Sequence, residues 1–181
     1  MKYFFLFASI LLFSCSSSDS NDTETIEENL NIRNEFTISG DTFSINHGFL
    51  GFVPSFGDIE RDRLILQISS SSVNSSLAAN KIEFDINGDA LNEEIIGSYE
   101  FEFNGPLFTE NLLLLADFNP DDQTYQYRID GNSFSRVELN ILAYDEEERT
   151  ITLTFSGVGD SDGISRNFEG GYRGTFSDDF D

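Results

Sequence analysis

The residues of this chain that could do chemistry are mainly carboxylates, and one compact set of them is Glu83-Phe84-Asp85-Ile86-Asn87. On a β-strand, alternate side chains share a face, so Glu83, Asp85 and Asn87 would point together. Paired carboxylates are the equipment of glycoside hydrolysis, where one protonates the leaving oxygen and the other acts as nucleophile or base. The same residues are also what the wet face of a strand presents before an Asn87-Gly88 turn, and that is the reading adopted. His47, the one histidine, lies between Asn46 and Gly48 in a turn-like context. A metal site draws on several ligands, and a triad needs a base with an orienting partner. His47 is therefore expected at the surface or at a strand end.

Laminarinase-type glycoside hydrolases resemble the first set, with two carboxylates on one strand and a third acid two positions after the central one. Asn87 stands where that third acid belongs, and the chain has no Trp to serve as a sugar platform. No catalytic residue is assigned on this basis, and the chain is expected not to be an enzyme. Calcium is the one cofactor for which oxygen ligands are suitably spaced. Asp117, Asn119 and Asp121 alternate as ligands do in an EF-hand loop, but Asp122 replaces the required glycine and Arg128 the bidentate glutamate. Asp160 and Asp162 lie in a second oxygen-rich stretch, Gly159 to Gly163. Loops between strands often complete a calcium site with backbone carbonyls; the competing reading is a pair of solvated acidic turns.

The elements that must position these residues alternate with a period of two. Ile82, Phe84 and Ile86 interleave with charged residues. So do Tyr99, Phe101 and Phe103; Tyr125, Tyr127 and Ile129; Val137, Leu139, Ile141 and Ala143; and Ile151, Leu153 and Phe155 interleave with polar ones. One apolar and one wet face per strand is the pattern of antiparallel sheet lying on a core. Asn87-Gly88 and Asp130-Gly131 are turn dipeptides, Thr124 to Ser156 reads as a three-strand meander, and Gly157 to Gly163 and Ser69 to Ser76 read as loops. Leu112 to Leu115 reads as a strand, and Leu91 to Ile96 is the one candidate for a short helix. The fold class is all-β: an antiparallel β-sandwich of about ten strands, with a lipocalin-like closed barrel as the alternative. The tyrosines and phenylalanines are expected in the core, and Arg128, Arg136 and Arg173 on wet faces.

Composition narrows the partners. The chain carries a formal charge of -23, and Lys81 is its only lysine after Lys2. Such a surface repels phosphate backbones, which excludes nucleic acid as the expected partner, and it favours neutral ligands or cations. The single cysteine rules out an internal disulfide.

That cysteine has an address-like context. Lys2 precedes an apolar run from Tyr3 to Phe13, too short to span a bilayer as a helix and suited to a signal-peptide core. Leu12-Phe13-Ser14-Cys15 resembles the lipobox of bacterial lipoproteins, with Phe13 at a position that is usually small. The resemblance implies cleavage after residue 14 and lipid on Cys15, hence a membrane anchor. Ser16 replaces the Asp that marks retention in the inner membrane, and Ser17 to Asp22 is similar to the surface-export stretch of Bacteroidota lipoproteins. Three further motifs resemble those of uncharacterised Bacteroidota outer-membrane lipoproteins: Gly40-Asp41-Thr42-Phe43, Gly97-Ser98-Tyr99-Glu100-Phe101 and Gly171-Tyr172-Arg173-Gly174-Thr175-Phe176. The resemblance implies an outer-membrane lipoprotein, facing either the outside or the periplasm.

The expected organisation is a signal peptide over 1–14, a lipidated and acidic tether over 15–34, and one domain over 35–181. Its expected role is non-enzymatic binding of a glycan or an envelope partner protein. A carboxylate-dependent hydrolase acting on polysaccharide and a structural envelope component are the alternatives.

Overall fold

A computed structural model describes residues 31–53, 63–71, 78–87, 95–102 and 112–178. They belong to one compact unit, Asn31–Asp181. The expected signal peptide, Cys15, most of the tether, Gly88, the start of the expected short helix and Phe103 lie outside the described residues.

The described elements are strands: β1 (Glu35–Ile38), β2 (Asp41–Ser44), β3 (His47–Val53), β4 (Arg63–Ser69), β5 (Lys81–Asn87), β6 (Gly97–Glu102), β7 (Leu113–Ala116), β8 (Tyr127–Asp130), β9 (Phe134–Asp145), β10 (Thr150–Ser161) and β11 (Ile164–Ser177). A single 3-10 turn, Gly131–Ser133, separates β8 from β9. The protein is all-β, as the alternation requires. The strands follow one path, β6-β9-β10-β11-β3-β4-β5-β7-β8, with the β1–β2 hairpin attached to β11. This is one curled mixed sheet that forms a half-barrel.

Two features depart from a purely antiparallel sandwich. Phe176 and Ser177 of β11 pair in parallel with Gly48 and Phe49 of β3, so the sheet is mixed and continuous. The cause is the length of β11. At about 3.3 Å per residue its 14 residues span about 43 Å, enough for β1 and then β3 to dock along one edge while β10 fills the other. Among the described residues, no ladder joins β6 to β8, so hydrogen bonding does not close the ring as it would in a lipocalin-like barrel.

Sequence order also misleads locally. The stretch Thr124 to Ser156 is not a three-strand meander: β9 pairs with β10, but β8 pairs with β7, in the other limb of the sheet. The stretch Gly157 to Gly163 is not a loop. Gly157 and Gly159 continue β10 because their missing side chains make room. A Cβ on Gly157 would lie 2.4 Å from Phe168 Cζ, and one on Gly159 would lie 2.3 Å from Ile129 Cγ2. The real turn is Asp162-Gly163, both with positive φ (56° and 76°), as a two-residue hairpin requires.

The core lies between the limbs of the curled sheet. Phe84 of β5 stands 5.8 Å from Phe155 of β10 and 6.0 Å from Phe101 of β6, centroid to centroid. Phe36 of β1 adds a contact at 6.5 Å to Phe155. Offset and edge contacts of this kind add about 0.5–1.5 kcal/mol each beyond their buried area. Tyr99, Phe101, Leu114, Ile129, Val137, Leu139, Leu153 and Tyr172 complete the same cluster, which is where the alternation put most of them.

Candidate functional site

The carboxylate pair of β5 is engaged in structure. Asp85 is buried at 1% exposure, and the half-buried Arg63 of β4 holds it with two donors, Nε to Oδ1 at 2.8 Å and the second nitrogen to Oδ2. Glu83 accepts from Lys81 Nζ at 3.4 Å. The face that carries Asp85 was expected to be wet. It is covered there instead, and Phe49 of β3, on the same face two strands away, is fully buried as well. A carboxylate so placed straps two strands together and is closed to a substrate.

The oxygen-rich stretches serve as turns. Asn119 Oδ1 accepts from the backbone N–H of Asp121 at 3.0 Å, and Asp122 Oδ1 accepts from both the backbone N–H (3.2 Å) and the hydroxyl (2.7 Å) of Thr124. Those bonds, the side-chain one foremost, hold the Asp122 carboxyl below the usual aspartate range. Asp117 sits at φ 51°, and its N–H donates to Asn80 Oδ1 at 3.0 Å. Asp160 Oδ1 accepts from Gly163 N–H at 2.8 Å, closing the β10–β11 turn in which Asp162 is a positive-φ corner. Among the described residues, no three His, Cys, Asp or Glu side chains gather around one metal position. His47 is exposed at the first residue of β3, where its context placed it.

A different group converges where the β1–β2 hairpin, β8 and the tip half of β11 meet. Asp41, the first residue of β2, accepts from Tyr127 Oη at 2.7 Å and Gln126 Nε2 at 2.8 Å, both on the same Oδ2. The ring of Tyr127 stands edge-on to Phe43 at 6.0 Å, so its apolar body closes the core while its hydroxyl points outward. The bond to Asp41, and next its burial, push the Tyr127 hydroxyl above the usual tyrosine range, because both disfavour a phenolate. Tyr125, two residues before Tyr127, is 37% exposed.

Arg166 completes the group. It lies two residues before Phe168 on β11, and alternation gives both the inward face. Its guanidinium carbon sits 5.2 Å from the centre of the Tyr127 ring, a cation–π contact. Its Nε is buried and makes no hydrogen bond. An unmade bond on a buried donor costs about 1–3 kcal/mol, so such an atom is exceptional in a folded protein. The other described arginines are engaged. Arg33 meets Glu35, Arg63 meets Asp85, Arg128 meets Asp130, Arg136 meets Glu100 and Arg149 meets Asp178, and Arg173 has interactions of its own.

The broad polar face of β6, β9 and β10 is the competing surface. Its groups are already paired with one another: Ser98 Oγ meets Asn140 Oδ1 at 2.5 Å, Asn140 Nδ2 donates to Glu138 at 3.0 Å, and Arg136 donates to Glu100 at 2.9 Å. The group around Arg166 differs in holding a buried donor without a partner.

Sequence reasoning singled out neither Arg166 nor Asp41 as a site residue. The signal for Arg166 was present in Arg166-Asn167-Phe168, where a charge shares the parity of a core aromatic. No protein-family model, curated protein or solved structure matches the chain.

Proposed function

We propose that this domain is a non-enzymatic recognition module of the cell envelope, held by lipid on Cys15 in the outer membrane and turned to the outside, and that it binds a glycan at the Asp41–Gln126–Arg166 group. The observation that carries the reading is the exposed Tyr125, which precedes Gln126 in the chain, together with Gln126 and Asp41, whose polar ends are already fixed by their mutual bond. An aromatic face with a few oriented polar groups is what a sugar ring is recognised by, since one covers its C–H face and the others meet its hydroxyls. The limbs of the half-barrel are read as the layers of an open sandwich, with this group at the hairpin end.

The point where the tether meets the domain supports an outward-facing site. Asn34 brackets Arg173, accepting from its N–H at 2.8 Å and donating to its carbonyl at 3.1 Å, and Ile32 fills the space over Gly171. Gly171 to Arg166 is a run of about 17 Å along β11, so the site stands away from the point of attachment.

The test is calorimetric titration of the full chain, in mild detergent, with a panel of envelope and matrix oligosaccharides. Tyr125→Ala and Gln126→Ala should each weaken binding at least about fivefold, the loss of a stacking face or of one hydrogen bond. Binding that neither substitution changes would contradict the assignment.

A further inference from the structure

We infer that the glycan recognised at this end carries a carboxylate, as a uronic acid does, and that Arg166 is the residue that reads it. The inference rests on the glycan reading above and deepens it. The chain has 33 acidic residues, and each other described arginine is ion-paired or otherwise engaged. Arg166 alone among them keeps a buried donor without a partner, although Asp41 is bonded to the very tyrosine that Arg166 stacks on. Asp41 is committed to Tyr127 and Gln126 and makes no ion pair with Arg166. The guanidinium is therefore held in one plane by an aromatic face while its hydrogen-bonding capacity remains unspent.

A planar guanidinium presents parallel N–H donors that match the two oxygens of a carboxylate. It is also the one cation of this group, set in a chain of formal charge -23. A single guanidinium balances a single negative charge, whereas a dianionic phosphate would meet the surplus field of the surrounding acids. Nε itself is closed to solvent, so a ligand meets the guanidinium through its terminal nitrogens, which no side chain of the described residues engages. A neutral glycan would leave those two donors to water, whereas the carboxylate of a uronic acid would pair with both of them.

The test compares matched ligands on the full chain in mild detergent: oligogalacturonate, the same oligosaccharide after reduction of its carboxyl groups, and a sulfated neutral oligosaccharide. The wild type should bind the acidic form at least about tenfold more tightly than the reduced form, the size of one charge-assisted hydrogen bond. Arg166→Gln should erase that preference, bringing the affinities for the acidic and reduced forms to within about twofold of each other. Arg166→Lys, which keeps the charge but lacks the planar pair of donors, should recover only part of it, and serves as the reading if Arg166→Gln does not fold. Equal affinity for acidic and reduced forms, a preference that survives Arg166→Gln, or tighter binding of the sulfated ligand would overturn the inference and leave the glycan reading standing. Binding of none of the three would overturn both.

Discussion

Replacing Arg63 with Met separates a structural Asp85 from a chemical one. Asp85 is 1% exposed, and Arg63 gives it two hydrogen bonds, one of them 2.8 Å long. Removing one partner of a buried pair costs about 3–5 kcal/mol, because the other charge is left uncompensated. Two facts pull the figure to the low end. Arg63 itself is 25% exposed, and Asp85 has a further interaction besides Arg63. About 3 kcal/mol is expected. For a folded unit of this size, each kcal/mol moves the melting temperature by about 2–4 °C, so the loss is about 6–12 °C. Near-ultraviolet circular dichroism, which follows the buried tyrosines Tyr99 and Tyr172, reads the transition. The double variant Arg63→Met with Asp85→Leu removes both charges and should return to within about 1 kcal/mol of the wild type, since an apolar pair of similar volume often replaces a buried ion pair without loss. An Arg63→Met variant within about 0.5 kcal/mol of the wild type would refute the strap.

Three further outcomes follow from the same geometry. Gly159→Ala should destabilise by about 1–3 kcal/mol, the usual cost of overpacking, because its Cβ would meet Ile129 Cγ2 at 2.3 Å; urea unfolding of Ile129→Ala, Gly159→Ala and the double variant should show the two losses to be markedly non-additive. The Asp122 carboxyl is held low first by the Thr124 hydroxyl, so its contribution to folding is present above the ordinary aspartate pKa and is lost as pH falls through the lowered one; a carboxyl NMR titration of Thr124→Val should move its midpoint upward, and an unmoved midpoint would disprove the cause. Growth on an alkyne-tagged fatty acid should label the full chain, Cys15→Ser should lose the label, and labelling that persists in Cys15→Ser would remove the lipid anchor from the account.

The alternation in the sequence made the strands legible because it reports which side chains share a face. It placed Ile82, Phe84 and Ile86, Val137, Leu139 and Ile141, and Ile151, Leu153 and Phe155 correctly in the core. It does not report what lies over the other face, which is why Asp85 looked solvated when it is buried. Glycine is ambiguous for a related reason. Gly157 and Gly159 look like loop residues, but each marks a strand position where a partner's side chain occupies the Cβ space. Pairing between distant strands is the least legible part. The parallel joint of β11 to β3 links residues near the two ends of the domain, and nothing local announces it. The group around Arg166 inherits that difficulty, since Asp41, Gln126 and Arg166 come from three separate parts of the chain.

The most direct test of the site is to follow the backbone amide resonances of the full chain while an oligosaccharide that binds it is titrated in. The account predicts shifts concentrated at Asp41, Tyr125, Gln126, Tyr127 and Arg166, with the polar face at Ser98, Glu138 and Asn140 unchanged. Shifts concentrated on that polar face, with Arg166 and Gln126 unmoved, would contradict it.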